Sequence, residues 1–423
     1  MKQIRNIKIS EWYYVLVCLG YVATLVFAGM RPGVFAAVLM AAVLAELIIC
    51  RQFKISCLAD CIATAFFAYQ ILSVIWLFAG GFPVAVFASE FTSSTLPRVF
   101  YFVGRSMARV RRDGSDDPVG RWYRRYLYAM MILGIIGVVL YAAAPQFYCD
   151  WAYRWSYISK ADVPTMRVRM HSVVGSTCLS FIMVSGMLAG SYFLGVQKKT
   201  DKSGEGSMRS KSGDIIFATV TIAACLLFAI MANQRSGLVA AALVLVYVNY
   251  LLFFKLDLIP KKYFLCELVA IAAVFAGICI IRFKFILKFW WRIISLPTAI
   301  SQRSEQWVAA VNNMYSSWIG NGLGANGHRA IGIEDAHVIA DGGLVKLYCE
   351  NGVLGFSLFA YLIVLAFMNG CRNIRQHYVE VGIMAAGLLQ SIGSNMLAFQ
   401  ICAPVFWLAV GICQTQRSEQ TER

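Results

Sequence analysis

DGGLVKLYCENGVLGFSLFAYLIVLAFM, residues 341 to 368, decides the class of fold. It opens on Asp341, carries Glu350 at its head and then turns apolar. From about Gly343 it is long enough to cross a bilayer core of roughly 30 Å as a helix. Runs of this kind recur from Trp12 to Cys413. The chain of 423 residues is 59% apolar and only 14% charged, whereas soluble domains carry about 25% charged residues. A soluble protein has no need of so many apolar runs.

Working outward from that stretch, spans are expected near 12–29, 34–50, 58–79, 84–104, 126–144, 173–195, 214–232, 237–254, 263–281, 343–368, 380–398 and 400–413. The fourth, FASEFTSSTLPRVFYFVG, is polar and carries a proline, and the last is short. The expected fold is an all-α polytopic membrane protein of about twelve transmembrane helices, one integral membrane domain over residues 1–423. The first apolar run follows Lys2, Arg5 and Lys8, lacks an A-x-A-like end and leads straight into further spans. It therefore reads as a retained helix rather than a signal peptide.

Loop charge sets the expected orientation. With the N-terminus inside, most of the 38 Lys and Arg fall on the cytoplasmic side, the largest share in RSMARVRRDGSDDPVGRWYRR (residues 105 to 125). That bias predicts both termini in the cytoplasm and an even number of spans. It also explains the net charge of +16 without nucleic acid as a partner. QKKTDKSGEGSMRSKSG (197 to 213) is then a flexible inside connector. Two segments lie outside: a first loop over 145–172 and a larger one over 282–342, which includes helices. Neither is long enough for a core of its own, so each must pack on the bundle. The thirteen cysteines sit mostly in apolar runs, with no CxxC and no Cys/His pair at ligand spacing, and read as small buried hydrophobes. No metal or other cofactor is expected.

The large outer loop and its neighbours carry the candidate chemistry. In IRFKFILKFWWRIIS (281 to 295), Lys284, Lys288 and Arg292 share one helical face, with Arg282 just before them and aromatics between. This is either an interfacial helix anchored to membrane lipids or a surface that gathers a lipid-linked phosphate or diphosphate. Arg235 sits in FAIMANQRSGLVAAAL, a tight outer hairpin between two apolar runs. An arginine at that depth either snorkels or faces a ligand. Arg303 opens a helix expected from about Ser304 to Trp318, which ends in Gly320, Gly322 and Gly324. Guanidinium groups match phosphate oxygens through paired charge-assisted bonds, and two of them would stabilise a diphosphate leaving group.

Glu334, Asp335, His337 and Asp341 follow within eight residues. A sugar hydroxyl acting as nucleophile must lose its proton, and a carboxylate or neutral imidazole can take it. Glu334 and Asp335 also read simply as a solvated acidic loop. Asp341 lies directly before an apolar span, where desolvation would favour a general base. His328 and His171 read as structural or substrate-contact residues. Glu350 heads a helix entrance packed through Gly352 and Gly355.

DGGLVKLYCENGVLG resembles a segment of the repeat-unit polymerases of bacterial O-antigen and capsule synthesis (the Wzy class) and of the related O-antigen ligases. In that segment a polar pair precedes an apolar run ending in E-x-G-x-x-G, here Glu350, Gly352 and Gly355. Arg303-x-x-x-Trp307 and Gly320–Gly324 are similar to the same superfamily's helix and turn. NQRSGL is similar to its Ser/Arg hairpin, which matches Arg235 to the family arginine. RVRMHSVVGSTCLSFIM, with Arg169, and STLPRVFYFVG resemble two further polymerase stretches. Ligases typically carry His-Asn eleven residues before the first glycine of the motif. Asp341 occupies that place here, which resembles the polymerase branch and leaves His337 off the family's histidine position.

The resemblance implies a GT-C-type, metal- and nucleotide-independent glycosyltransferase of the bacterial inner membrane. It would move a growing glycan from undecaprenyl diphosphate to the non-reducing end of a newly flipped repeat unit on the periplasmic side. Catalytic residues would be Asp341, His337 and Arg303. Arg235, Arg303, Arg169, Arg282, Lys288, Arg292 and His328 would hold the diphosphate or sugar. Partners would be the undecaprenyl-diphosphate-linked oligosaccharide, membrane lipids and a chain-length-regulating membrane protein. Two alternatives remain at this stage: an O-antigen ligase with lipid A core as acceptor, and a flippase or transporter of the same glycolipid. A transporter should show paired broken helices and charges deep in the bundle, and Glu46 is the clearest mid-span charge in the sequence.

Overall fold

A computed structural model describes residues 8–27, 31–112, 117–143, 169–201, 208–255 and 296–414, with a few single positions between 261 and 294. Among the described residues the secondary structure is helical, without strands. Among the described residues seven helices are long and apolar enough to cross a membrane: Pro32–Ile49, Leu58–Ala79, Pro118–Ala143, Ser176–Gly195, Gly213–Ala232, Arg235–Lys255 and Gly343–Arg372. Ile9–Ala23 and Ala403–Cys413 are shorter apolar helices. The all-helical membrane architecture expected from the apolar runs is thus present. The expected span over 263–281 and most of the first outer loop lie outside the described residues.

The bundle is built around Ser176–Gly195. Its apolar window is 89% buried, against 28% to 44% for the other six helices. Small residues let neighbours approach it closely: a Cβ on Gly186 would lie 2.8 Å from Cys225 Sγ, and one on Gly190 2.8 Å from Ile222. The peripheral helices turn apolar faces outward instead, through Val34, Val38, Ile49, Leu227 and Val246. Outside a bilayer that surface would be a liability; against lipid tails it is the natural solvent-facing side. Cys18, Cys178, Cys225, Cys402 and Cys413 are buried thiols, in keeping with the hydrophobe reading.

Three expected elements take a different form. The fourth span divides into a helix Val84–Glu90, a π turn Phe91–Thr95, a 3-10 turn Leu96–Arg98 and a helix Val99–Arg112. Pro97 cannot donate to the helical ladder. The Ser/Thr run before it takes up nearby carbonyls, with Thr92 Oγ1 donating to Ser89 and Ser94 Oγ to Glu90. The last span is an eleven-residue helix, Ala403–Cys413, buried at every residue. At about 16 Å it reaches only half of a bilayer core, and it serves as an internal strut. It crosses Val99–Arg112 closely because Gly104 faces the Leu408 carbonyl and Gly411 faces the Tyr101 carbonyl. The outer helix runs over Leu296–Asn312, earlier than the expected Ser304 to Trp318. It stops where Asn313 turns its side-chain amide onto the Ala309 carbonyl and Asn321 Oδ1 accepts from the Tyr315 N–H.

One end of the bundle gathers a set of arginine–carboxylate pairs. Arg125 and Arg121 pair with Glu11, Arg124 with Asp214, and Arg105 with Asp60 at 2.8 Å. Arg105 also donates to the carbonyl of Gln414, so the first and last described helices have their outer tips at this basic end. Glu46 belongs here too. It accepts from the N–H and hydroxyl of Ser10, so it caps the start of the first helix and is not a charge stranded mid-span. The 296–343 segment, the 233–235 turn and the 394–402 segment lie at the opposite end.

Candidate functional site

The site end is organised by a break in a long helix. Gly343–Arg372 departs from helical geometry at Gly352 (φ 59°, ψ −170°). A break exposes carbonyls and N–H groups that hydrocarbon cannot satisfy. The glycine-rich loop satisfies them: Asn321 N–H donates to Cys349 and Gly322 N–H to Glu350, at 2.8 and 3.0 Å. On the far side, Val353 and Leu354 N–H donate to Ser317 and Trp318, at 2.8 and 3.0 Å. Tyr69 Oη reaches the carbonyls of Ile319 and Asn351, and Gln70 holds the Asn351 side chain at 3.0 Å. Gly320 has φ +77°, and a Cβ there would lie 2.5 Å from Gly352 N. Gly320 lies between the two halves of the broken helix, where only a residue without a side chain fits.

Just outside the break, Arg303 Nη2 meets Asp341 Oδ2 at 2.7 Å. Trp307, one helical turn after Arg303, donates its indole N–H to the Asp341 carbonyl at 2.7 Å. Gly342, at φ +124°, lies under that indole, where a Cβ would be 2.5 Å from Trp307 Nε1. The turn is fixed from the other side by Asn395, whose amide donates to the Ile339 and Ala340 carbonyls, and by Gly343 N–H on the Ser394 carbonyl. Gly393 then lies against both Ser236 and Arg303 Nη1. Ser236, the residue after Arg235 in the Arg235–Tyr250 helix, is thus brought through Gly393 toward Arg303 from a helix distant in sequence. Asn233, at φ +50°, makes that hairpin tight. Arg169 enters nearby, since the next residue, Met170, donates its N–H to the Met231 carbonyl.

The other sequence candidates fare differently. Asp341 does not occupy the desolvated setting expected of it: its side chain is 38% exposed and ion-paired. His337 is half-buried, with its carbonyl accepting from Asn326, and His328 is exposed in a 3-10 turn. Among the described residues, no hydrogen bond or ion pair joins either histidine to the Arg303–Asp341 pair. Glu334 and Asp335 are exposed, as a solvated loop would be. His171 is buried and accepts at Nδ1 from the Ser176 N–H, a structural role. Arg282, Lys288 and Arg292 lie outside the described residues.

Beneath the mouth is a group that sequence reasoning missed. Lys346 Nζ donates to Glu90 Oε1 at 2.6 Å and lies 3.6 Å from Glu350 Oε1. Arg98 stacks its guanidinium on Phe66 and Trp407, at 4.0 and 5.3 Å from the ring centroids. Lys346, Glu350 and Arg98 are 5%, 2% and 7% exposed, so four formal charges sit inside the bundle. Glu90 follows one helix and precedes the π turn; Glu350 precedes the Gly352 break. Two interrupted helices thus meet at one charged cluster, and Gly327 in the glycine loop closes over it, where a Cβ would be 3.0 Å from Glu90 Oε2. The only sequence signal was a pair of charges in each of two expected spans, Glu90 with Arg98 and Lys346 with Glu350, some 250 residues apart.

Chemically, the mouth offers a half-buried guanidinium for an anion and a carboxylate able to accept a proton. Among the described residues no group of three or more His, Cys, Asp or Glu is placed to hold a metal ion. No protein-family model matches the chain, and no curated protein matches it either.

Proposed function

We propose that the protein is a lipid-diphosphate-dependent glycosyltransferase of the GT-C type that polymerises oligosaccharide repeat units. The single observation that carries this reading is the Arg303–Asp341 pair at the end of the bundle opposite the basic loops, with Gly393 between Arg303 and Ser236, the neighbour of Arg235. The positive-inside rule assigns the basic end to the cytoplasm and the pair to the periplasmic side of the inner membrane. The chain leaves Arg235–Lys255 at the basic end and returns as Leu296–Asn312 at the other.

In this reading Arg303 and Arg235 hold the diphosphate of an undecaprenyl-diphosphate-linked glycan. The hydroxyl at the non-reducing end of a second unit attacks the anomeric carbon. The carbon–oxygen bond to the diphosphate breaks, its electron pair leaves with undecaprenyl diphosphate, and Asp341 accepts the hydroxyl proton. Arg303 is shared: while it binds phosphate oxygens it releases Asp341 for that role. A chain-length-regulating membrane protein would be a further partner.

Arg303→Ala and Arg235→Ala should each abolish long chains while leaving the protein in the membrane. Normal chain lengths in both would sink the diphosphate proposal. A polymerase lost in this way leaves single capped units in cell extracts, whereas a lost ligase leaves long chains on undecaprenyl diphosphate. A second reading, a transporter of the same glycolipid, is favoured by the two interrupted helices that meet at buried charges. Proteoliposomes loaded with undecaprenyl-diphosphate-linked repeat units separate the two. Polymerase activity lengthens the glycan, whereas a transporter changes only which leaflet exposes it.

A further inference from the structure

Between the Gly343 turn and the buried charges lies a small cavity of about 30 Å³. Ser94, Arg98, Lys346, Glu350, Asn395 and Trp407 are on its wall. Arg98 Nε and Nη1 and Trp407 Nε1 are buried donors with no hydrogen-bond partner in the protein, Asn395 Oδ1 is a buried acceptor in the same condition, and Glu350 Oε1 has only the Lys346 ammonium at 3.6 Å, beyond hydrogen-bond reach. These side chains are 7%, 2%, 4% and 2% exposed for Arg98, Glu350, Asn395 and Trp407.

Groups of this kind are costly to bury if nothing meets them, and native proteins leave very few. The chemistry of the set narrows what can meet it. An anion would face Glu350 and Asn395 Oδ1, and a cation would face Arg98 and Lys346. A small neutral molecule that both donates and accepts satisfies all of them. A water needs roughly 10–15 Å³ of such space, so the volume suits about two.

We propose that this cavity is a water-binding site in which one or two waters join Arg98 and Trp407 to Glu350 and Asn395. The waters complete the hydrogen bonding of the charged crossing and carry polar contact from the outer turn into the middle of the bundle. The site stands on its own lining, so it holds under either reading of the function.

Pulsed hydroxyl-radical labelling of the full-length protein in lipid nanodiscs, read by mass spectrometry, tests this. Radicals formed from a bound water oxidise the side chain beside it even when that side chain is buried. Trp407 should be labelled several-fold more than Trp122, which is 1% exposed and whose indole N–H is already taken by the Ser10 carbonyl. Ser94→Leu, which pushes apolar volume into the cavity, should bring Trp407 down toward the Trp122 level. Equal labelling of the two tryptophans in the wild-type protein overturns the proposal. So does strong Trp407 labelling that Ser94→Leu leaves unchanged, because the water would then come from elsewhere. Trp122 also reports folding: if it becomes labelled in the variant, the milder Ser94→Val replaces it, read against the same two outcomes.

Discussion

Lys346→Met is the most informative single perturbation of this structure. The substitution keeps the length and apolar stem of the side chain and removes one charge. Lys346 bonds Glu90 at 2.6 Å and faces Glu350 at 3.6 Å, and side-chain exposure across the three is 12% or less. Solvent screening is therefore weak. Breaking a buried pair by deleting one partner typically costs about 3–5 kcal/mol, because the surviving charge stays buried and uncompensated. Here two carboxylates would survive, with only Arg98 left to offset them, so the loss should fall in that range.

The paired variant Lys346→Met, Glu90→Gln removes one of the stranded carboxylates and should recover part of the loss. The expected coupling lies between about 0.6 kcal/mol, a typical polar contact inside a membrane bundle, and about 3 kcal/mol for residues in one network. The assay is reversible unfolding in mixed micelles with increasing SDS, followed by circular dichroism, for the wild type, both single variants and the pair. A Lys346→Met loss below about 1 kcal/mol, or additivity of the two substitutions within about 0.5 kcal/mol, would refute the buried ion pair.

Three further outcomes are expected. Asp341→Asn should lower stability by less than about 1 kcal/mol, because its pair with Arg303 is open to solvent, yet it should remove chain elongation. An elongation assay with normal rates would move the proton-accepting role off Asp341. Gly322→Ala places a Cβ 2.7 Å from Leu77 Cβ at φ +89°. Strain and overpacking together should cost about 2–4 kcal/mol and lower the apparent melting temperature in detergent. Asp60→Asn at the basic end leaves Arg105 unbalanced, and it should cost about 3–5 kcal/mol in the same micelle titration. Elongation per folded molecule should not change, since this pair is far from the mouth.

Much of the architecture was legible in the chain. The apolar runs marked the membrane helices because in hydrocarbon length and apolarity alone decide what can cross. The Arg235 hairpin was also readable, and Arg303 and Asp341 could each be singled out, since each departs from its surroundings in charge. The interruption at Pro97 was visible only as a polar, proline-bearing span, and its π and 3-10 geometry depends on how Ser94 and Thr92 satisfy local carbonyls. The outer helix was misplaced because side-chain amides at Asn313 and Asn321, rather than any apolar periodicity, end it.

The sequence by itself determined that this is an all-helical membrane protein with a polar, glycine-rich segment at one end, and which residues there are chemically able. Only the tertiary structure decided that Gly320 and Gly322 serve to close a broken helix at Gly352. It alone joined Glu90, Arg98, Lys346 and Glu350 into one buried cluster, and set Asp341 in an exposed ion pair with Arg303. The physical reason is range. Hydrophobic length and local charge are properties of a few consecutive residues. The cost of a buried charge, and the fit of a glycine against a backbone, depend on partners that the chain brings in from hundreds of residues away.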